Sequence, residues 1–280
     1  MQRAYNSLLF LILSLFVNIS AAQDVEQTFE LGKEQMQMRH YDAAALAFER
    51  VLYFGQGQYQ TTCLGFLGDM SMAKDDADRA VDYYGRASLA SPDIESASWF
   101  SLRKCSGLLK QGESKLALID LLGLPNQLPD TLLKYKSFLL GITWFNELNF
   151  EESRINFKQA LKESDIAQKN AIDSLFYALS KIKHPNPKTA RTLSIIFPGA
   201  GQFYSGDIKN GINSFLLTGA FLAIGISTAF RYTLFDAFGS VLPWFQRYYM
   251  GGYNRAERIA AERLKQKQNV IFLEVIEQFR

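Results

Sequence analysis

Two histidines, His40 and His184, and two cysteines, Cys63 and Cys105, are all the imidazoles and thiols the 280-residue chain has. None stands in a C-x-x-C or H-E-x-x-H spacing, so neither a zinc site nor a His-based triad is expected. No G-x-S-x-G is present to raise a serine nucleophile. Adjacent carboxylates occur at Asp75/Asp76 and Glu151/Glu152. On turns between helices they read as solvated surface charge, not as an acid and base pair. Gly199-x-Gly201 lacks the third glycine of a dinucleotide turn, and no Gly-Lys-Ser/Thr follows it. The expectation is a protein that is not an enzyme and that has no catalytic residues, cofactor or metal. Its chemistry is then recognition, and the question becomes which elements carry it.

Composition agrees with a folded chain. Hydrophobic residues make up 48% and aromatic residues 14%, too much for a disordered protein. The net charge of +2 hides an asymmetry. Residues 23–187 carry 18 Lys/Arg against 22 Asp/Glu, and residues 188–280 carry 11 against 6. The basic excess lies beside apolar segments, which suits a membrane surface and not nucleic acid. At the N-terminus, Arg3, the apolar run Leu8–Val17 and small residues at Ser20–Ala22 have the order of a secretory signal, residues 1–22. An uncleaved anchor is the other reading.

Residues 23–183 are expected to be helical repeats. In frames beginning at Val25, Thr61, Ser98 and Lys134, small residues recur at one position (Gly32, Gly68, Cys105, Gly141) and again in the second helix (Ala44, Ala80, Ala117, Ser153). A large residue follows four places later (Phe48, Tyr84, Leu121, Phe157). The pattern resembles the tetratricopeptide repeat (TPR), over about 160 residues. The physics agrees: small residues let paired helices approach, and the large ring fills the gap between them. Cys105 and Ser153 depart from the usual glycine and alanine. Gln168–Ile182 is one more amphipathic helix, expected to cap the array. Cys63 and Cys105 lie about 7.5 Å out of step along neighbouring helices, so two buried free thiols are expected.

The TPR resemblance implies a groove lined by the first helix of each repeat. Carried onto this chain it gives Phe29, Lys33 and Met36; Asp69 and Met72; Trp99, Leu102 and Leu109; and Tyr135, Phe138, Ile142 and Phe145. That lining is mostly apolar and suits a peptide or helix of a partner. Large residues at helical spacing are also what a core needs, so both readings stay open.

Composition changes after the His184–Pro187 turn, and residues 184–191 are expected to be a linker. Residues 192–250 are expected to form a small membrane domain. Asn210–Phe230 holds 21 residues without a charge, enough for ~30 Å of hydrocarbon at ~1.5 Å per residue. Thr192–Tyr204 could be a short span, a re-entrant turn or an interfacial segment. Leu234–Met250 is apolar but holds Asp236, Pro243 and Arg247. Asp236 and Arg231 are read as lying in an interfacial loop. The stretch Pro198, Gly199, Gly201, Gln202, Tyr204, Gly206 follows the pattern P-G-x-G-Q-x-Y-x-G, and Arg247–Glu257 reads R-Y-Y-x-G-x-x-N-x-A-E. Together they resemble a bacterial membrane domain of unknown function that recurs after TPR arrays. Residues 251–280 are expected to be a basic, amphipathic helical tail. Its charge predicts the cytoplasmic side, which conflicts with a two-helix hairpin if the repeats are exported.

The whole is an all-α chain: a TPR-like solenoid followed by a transmembrane helical module. The expected function is an exported, membrane-anchored adaptor at the bacterial inner membrane. Its repeats would lie in the periplasm, binding a peptide or helix of another envelope protein, with lipid as the second partner and no nucleic acid. The alternative makes the membrane module active in insertion or transport of a substrate, with the repeats as recruiter.

Overall fold

A computed structural model describes residues 24–280, and the expected export signal at residues 1–22 lies outside them. Among the described residues there are fourteen helices and no strand. The chain divides into two compact units, the first ending at Lys162 and the second beginning at Glu163.

The first unit contains α1 (Val25–Gln37), α2 (Tyr41–Phe54), α3 (Gln60–Ala73), α4 (Ala77–Leu89), α5 (Ile94–Gln111), α6 (Ser114–Gly123), α7 (Asp130–Asn146) and α8 (Phe150–Ala160). Each packs on the next, and α5 also packs on α7. Side-chain caps set several starts. Asp24 Oδ1 accepts from Glu26 N at 3.0 Å and Gln27 N at 3.3 Å. Asp76, Asp93 and Asn149 cap α4, α5 and α8 in the same way.

The turn inside each helix pair has one repeated geometry. Arg39, Asp75, Gly112 and Leu148 all have positive φ, at 62°, 65°, 82° and 61°. They occupy the same place in the four frames. After each, a backbone N–H reaches back across the helix end: His40 N to Gln35 O at 2.9 Å, Asp76 N to Ser71 O at 2.9 Å, Glu113 N to Leu108 O at 2.9 Å and Asn149 N to Trp144 O at 2.9 Å. This satisfies carbonyls that a helix end leaves open. Only one of the four residues is the glycine that this conformation favours.

Helix pairs close through glycine against a ring, at the positions the frames give. A Cβ on Gly32 would lie 2.7 Å from Phe48, on Gly68 2.5 Å from Tyr84, and on Gly141 2.7 Å from Phe157. The third pair fills the same space differently, with Cys105 and Leu121 both fully buried. A larger first residue meets a smaller second one. Ser153 is buried where alanine is usual, and its hydroxyl donates to Gly141 O at 2.7 Å. Cys63 and Cys105 are free and buried. Lys136 is 7% exposed, and its Nζ donates to Leu124 O at 2.9 Å at the end of α6. A cation there complements the helix's negative end.

The second unit contains α9 (Ile166–Lys181), α10 (Pro187–Ile196), α11 (Ala200–Tyr204), α12 (Ile208–Arg231), α13 (Leu234–Ser240) and α14 (Leu242–Glu277). Three expected boundaries differ here. The helix expected to cap the repeats, α9, belongs to this unit: it packs on α14 and buries Ile172, Phe176 and Leu179. The linker is shorter than 184–191, because Pro187 is pre-set for a first helical turn and Asn186 caps it through Thr189 N at 3.2 Å. Thr192–Tyr204, for which the sequence leaves three readings open, is the end of α10, a turn and α11. Finally, no boundary falls at residue 250, since α14 runs unbroken through Gly251–Gly252.

α12 has 24 residues and is long and apolar enough to cross a membrane. Its side chains face outward, with Leu216 60% and Phe230 88% exposed. α13 and the first half of α14 return antiparallel along it. Phe221 stacks on Tyr248 at 5.0 Å, and Gly252 lies so close to Ser214 that a Cβ would meet its Oγ at 2.7 Å. At the far tip Asp236 accepts from Thr233 N and Oγ1 and so caps α13. Asp236, expected in a loop, lies instead in the first turn of a short helix. α10, α11 and the second half of α14 gather at the Asn210 end of α12.

Candidate functional site

A cleft of about 1120 Å³ lies in the first unit. α3 and α5 form its walls, with the turns before each at its mouth. These two are the first helices of neighbouring pairs, so a repeat geometry places their faces side by side. Phe100 locks them together, because a Cβ on Gly65 of α3 would lie 2.6 Å from its ring.

At the base is a coupled polar group. Arg103 donates to Asp69 at 2.6 Å, and the Tyr84 hydroxyl donates to the same carboxylate oxygen at 2.7 Å. The Arg103 guanidinium lies 5.0 Å from the Tyr84 ring centre and 5.4 Å from that of Trp99. Burial raises the Asp69 carboxyl above its ordinary range, and the opposing pull of Tyr84 and Arg103 does not cancel it. The Tyr84 phenol is pushed well up, first by burial and then by Asp69. The Asp69 carboxyl is held from two sides, by a phenol and a guanidinium. Trp99 stands over it, 39% exposed, beside Tyr59 and Phe66. The cleft thus offers aromatic faces with one charge pair beneath them.

Of the residues expected to line a groove, Asp69 and Trp99 meet in this cleft. Tyr135 leans on Trp99 with ring centres 5.9 Å apart. Phe29, Leu102 and Phe145 are buried, at 7%, 0% and 4% exposure, and are core. Of the two readings left open for them, burial favours core: Phe29 lies between Phe48 of its own pair and Tyr59 of the next, with ring centres 5.9 and 4.3 Å away, and Phe145 packs on Phe150 at 5.2 Å. Met36 packs on the core of the first two pairs, and Leu109, Phe138 and Ile142 on that of the later ones. Phe138 also meets Phe157 edge-on at 6.0 Å. Lys33 pairs with Glu30 at 2.8 Å, and Met72 is half-buried; both lie outside the cleft. The cleft residues missed from sequence are Tyr59, Phe66, Phe100 and Arg103. Arg103 is four residues beyond Trp99, one helical turn along the same face, and that spacing was the available signal.

The membrane-side motif proves to be a tie between helices. Gly201 N donates to Ser194 Oγ at 2.9 Å, and that hydroxyl donates to Gln202 Oε1 at 2.9 Å. Gln202 is fully buried and its Nε2 donates to Gly252 O at 2.9 Å, fifty residues away. Pro198 precedes Gly199, whose φ is +92° and where a Cβ would lie 2.4 Å from Gly211 O; Gly206 also has positive φ. The Tyr204 hydroxyl accepts from Asn186 N at 3.1 Å, and its ring covers Ala190, Ala256 and Ala260.

Burial pushes the Cys63 and Cys105 thiols up to about 12, which leaves them protonated and unreactive at neutral pH. Among the described residues no group of three His, Cys, Asp or Glu side chains could hold a metal ion. No protein family, no curated protein and no solved structure matches this chain.

Proposed function

We propose that the chain is a membrane-anchored adaptor. In this reading α1–α8 are a tetratricopeptide-type array, and the α3/α5 cleft takes a segment of another envelope protein. α12 to the start of α14 hold the array at the bacterial inner membrane. The observation that carries it is the cleft itself, an aromatic surface over the Asp69–Arg103 pair and walled by the first helices of adjacent pairs. Support for the anchor is the outward-facing apolar surface of α12.

The antiparallel return of α14 bears on topology. A hairpin sends both of its ends to one side, so the basic half of α14 shares a side with α9–α11. With export of the first unit to the periplasm, that basic helix lies in the periplasm too. Reporter fusions after Lys183 and after Arg280 test this: both report the periplasm if the hairpin holds, and opposite sides refute it.

The cleft is tested by a photocrosslinking residue at Ser96 in the full chain, in its native host. A discrete adduct with an envelope protein, lost on Trp99→Ala and on Thr62→Trp, is the expected result. An adduct pattern unchanged by both variants overturns the cleft as the binding surface. Replacing residues 188–280 by an unrelated single span separates the adaptor from an active membrane module, since only the adaptor survives the exchange.

A further inference from the structure

Between α12 and α14, at the Asn210 end, lies a cavity of about 320 Å³. Arg247, Arg255 and Arg258 line it from α14, and no carboxylate does. Arg247 and Arg255 are two helical turns apart and so share a face. Among the described residues none of the three forms an ion pair, whereas neighbouring Arg191 is paired with Glu257 at 2.9 Å. Asp207, whose field reaches Arg255, is outside the lining; it is held by Asn210 N at 3.0 Å and by the Asn210 amide at 2.6 Å.

The opposite wall adds neutral donors. Asn213, Ser214 and Thr218 line the cavity from α12. Thr218 is 2% exposed, and neither its hydroxyl nor that of Ser214 has a hydrogen-bond partner. A threonine in a helix can bond back to the carbonyl four residues earlier, as Thr228 does to Ile224 O at 2.9 Å. Thr218 does not. A buried hydroxyl without a partner is unfavourable, and these two lie in the cavity wall, closed off from solvent until a side chain beside them shifts. Three guanidiniums without an ion pair line the cavity over a wall that holds two unsatisfied hydroxyls, and they supply donors for a compact oxyanion with several acceptor oxygens.

We propose that this cavity binds a phosphate group, from a phospholipid headgroup or from a soluble phosphate. The proposal is independent of what the α3/α5 cleft binds. Ser214 and Thr218 lie in the first half of the apolar helix α12, and the stacked Phe221 and Tyr248 continue the wall towards its exposed apolar surface. A headgroup phosphate would enter at this level with its acyl chains along that surface.

The test uses the purified full chain in detergent, with binding read by native mass spectrometry and by the shift in thermal midpoint. Phosphatidylglycerol, diacylglycerol and inorganic phosphate are titrated separately, with acetate as a second anion. Binding of phosphatidylglycerol but not diacylglycerol is expected. It should weaken at least about tenfold in Arg255→Gln/Arg258→Gln, which removes two charge-assisted donors, and severalfold in Thr218→Val. Lys188→Gln/Lys265→Gln removes equal charge outside the cavity and should leave binding unchanged. Inorganic phosphate binding with the same variant pattern, without phosphatidylglycerol binding, supports the site and identifies a soluble source. If the double arginine variant lacks the parent's helical circular dichroism, Asn213→Ala, an exposed position, carries the comparison with a severalfold weakening expected. Equal losses in the cavity and control pairs, acetate binding as tightly as phosphate, or no phosphate compound bound by the parent would each overturn the proposal.

Discussion

Substitution of Gly68 by alanine tests the packing of the repeat-like pairs most directly. The new methyl would lie 2.5, 2.7 and 2.9 Å from three atoms of the Tyr84 ring. That ring is 1% exposed and its hydroxyl is tied to Asp69 and Arg103, so it has no room to swing. Overpacking of this kind costs about 1–3 kcal/mol, against a gain of about 1 kcal/mol for alanine over glycine in a helix. A net loss of about 1 kcal/mol is expected for Gly68→Ala. Tyr84→Leu alone leaves a hole and takes the phenol from Asp69, which keeps only Arg103. The double variant reproduces the solution of the third pair, where Cys105 faces Leu121. Its two costs should therefore not add, with a favourable coupling of about 1 kcal/mol or more. Gly85→Ala is the control, because its Cβ would meet only the flexible Lys104 chain at 3.8 Å. It should gain about 0.5–1 kcal/mol. The assay is urea unfolding of the full chain in detergent, followed by Trp99 and Trp144 fluorescence in a Trp244→Phe parent. Additive costs in the double variant, or a Gly68→Ala as stable as Gly85→Ala, would refute the reasoning.

Leu148→Gly should raise the urea midpoint in the same assay by about 1 kcal/mol, because the left-handed conformation costs an L-residue about 1–2 kcal/mol and Leu148 is 65% exposed; an unchanged or lower midpoint would show that the turn carries no such cost. Asp69 is raised by burial, so the folded chain keeps its proton at pH values where the unfolded chain has lost it. Its contribution to stability must then grow as pH falls from above the raised value towards 3.8. Parent and Asp69→Asn, unfolded across that window, should diverge in the parent's favour on acidification, and divergence the other way would contradict the assignment. Gln202→Leu leaves the Ser194 hydroxyl and Gly252 carbonyl without their buried partner, at a cost of about 1–3 kcal/mol. It should speed amide exchange in α10 and α11 while leaving α1–α8 as before; exchange unchanged in α10 and α11 would remove Gln202 as the tie.

Helix identity and pairing in the first unit were legible because their signals are local. Gly32 and Phe48 are sixteen residues apart, within one helix pair, and the same spacing returns at Gly68/Tyr84 and Gly141/Phe157. The repeated frame also contains the turn at Arg39, Asp75, Gly112 and Leu148, though only Gly112 announces a positive φ by its residue type. The groove lining was less legible. A frame position says which face of a helix a residue is on, but not whether a neighbouring helix covers that face. Phe29, Leu102 and Phe145 are covered, while Trp99 is not, and the four are equally apolar on paper.

The sequence alone determined that the described residues are all helical, that the first part is built of paired helices, and that residues 210–230 lie in a helix long and apolar enough to cross a membrane. Each follows from hydrophobic spacing within one or two helical turns and from glycine or proline at the ends. Tertiary structure decided that α9 packs on α14, that Gln202 reaches Gly252, and that Arg247, Arg255 and Arg258 face Ser214 and Thr218 across a cavity. Those partners are 30 to 100 residues apart, and no local preference encodes their meeting. They come together because α14 turns back along α12, in a register fixed by the close approach of Gly252 to Ser214 and of the Phe221 ring to Tyr248.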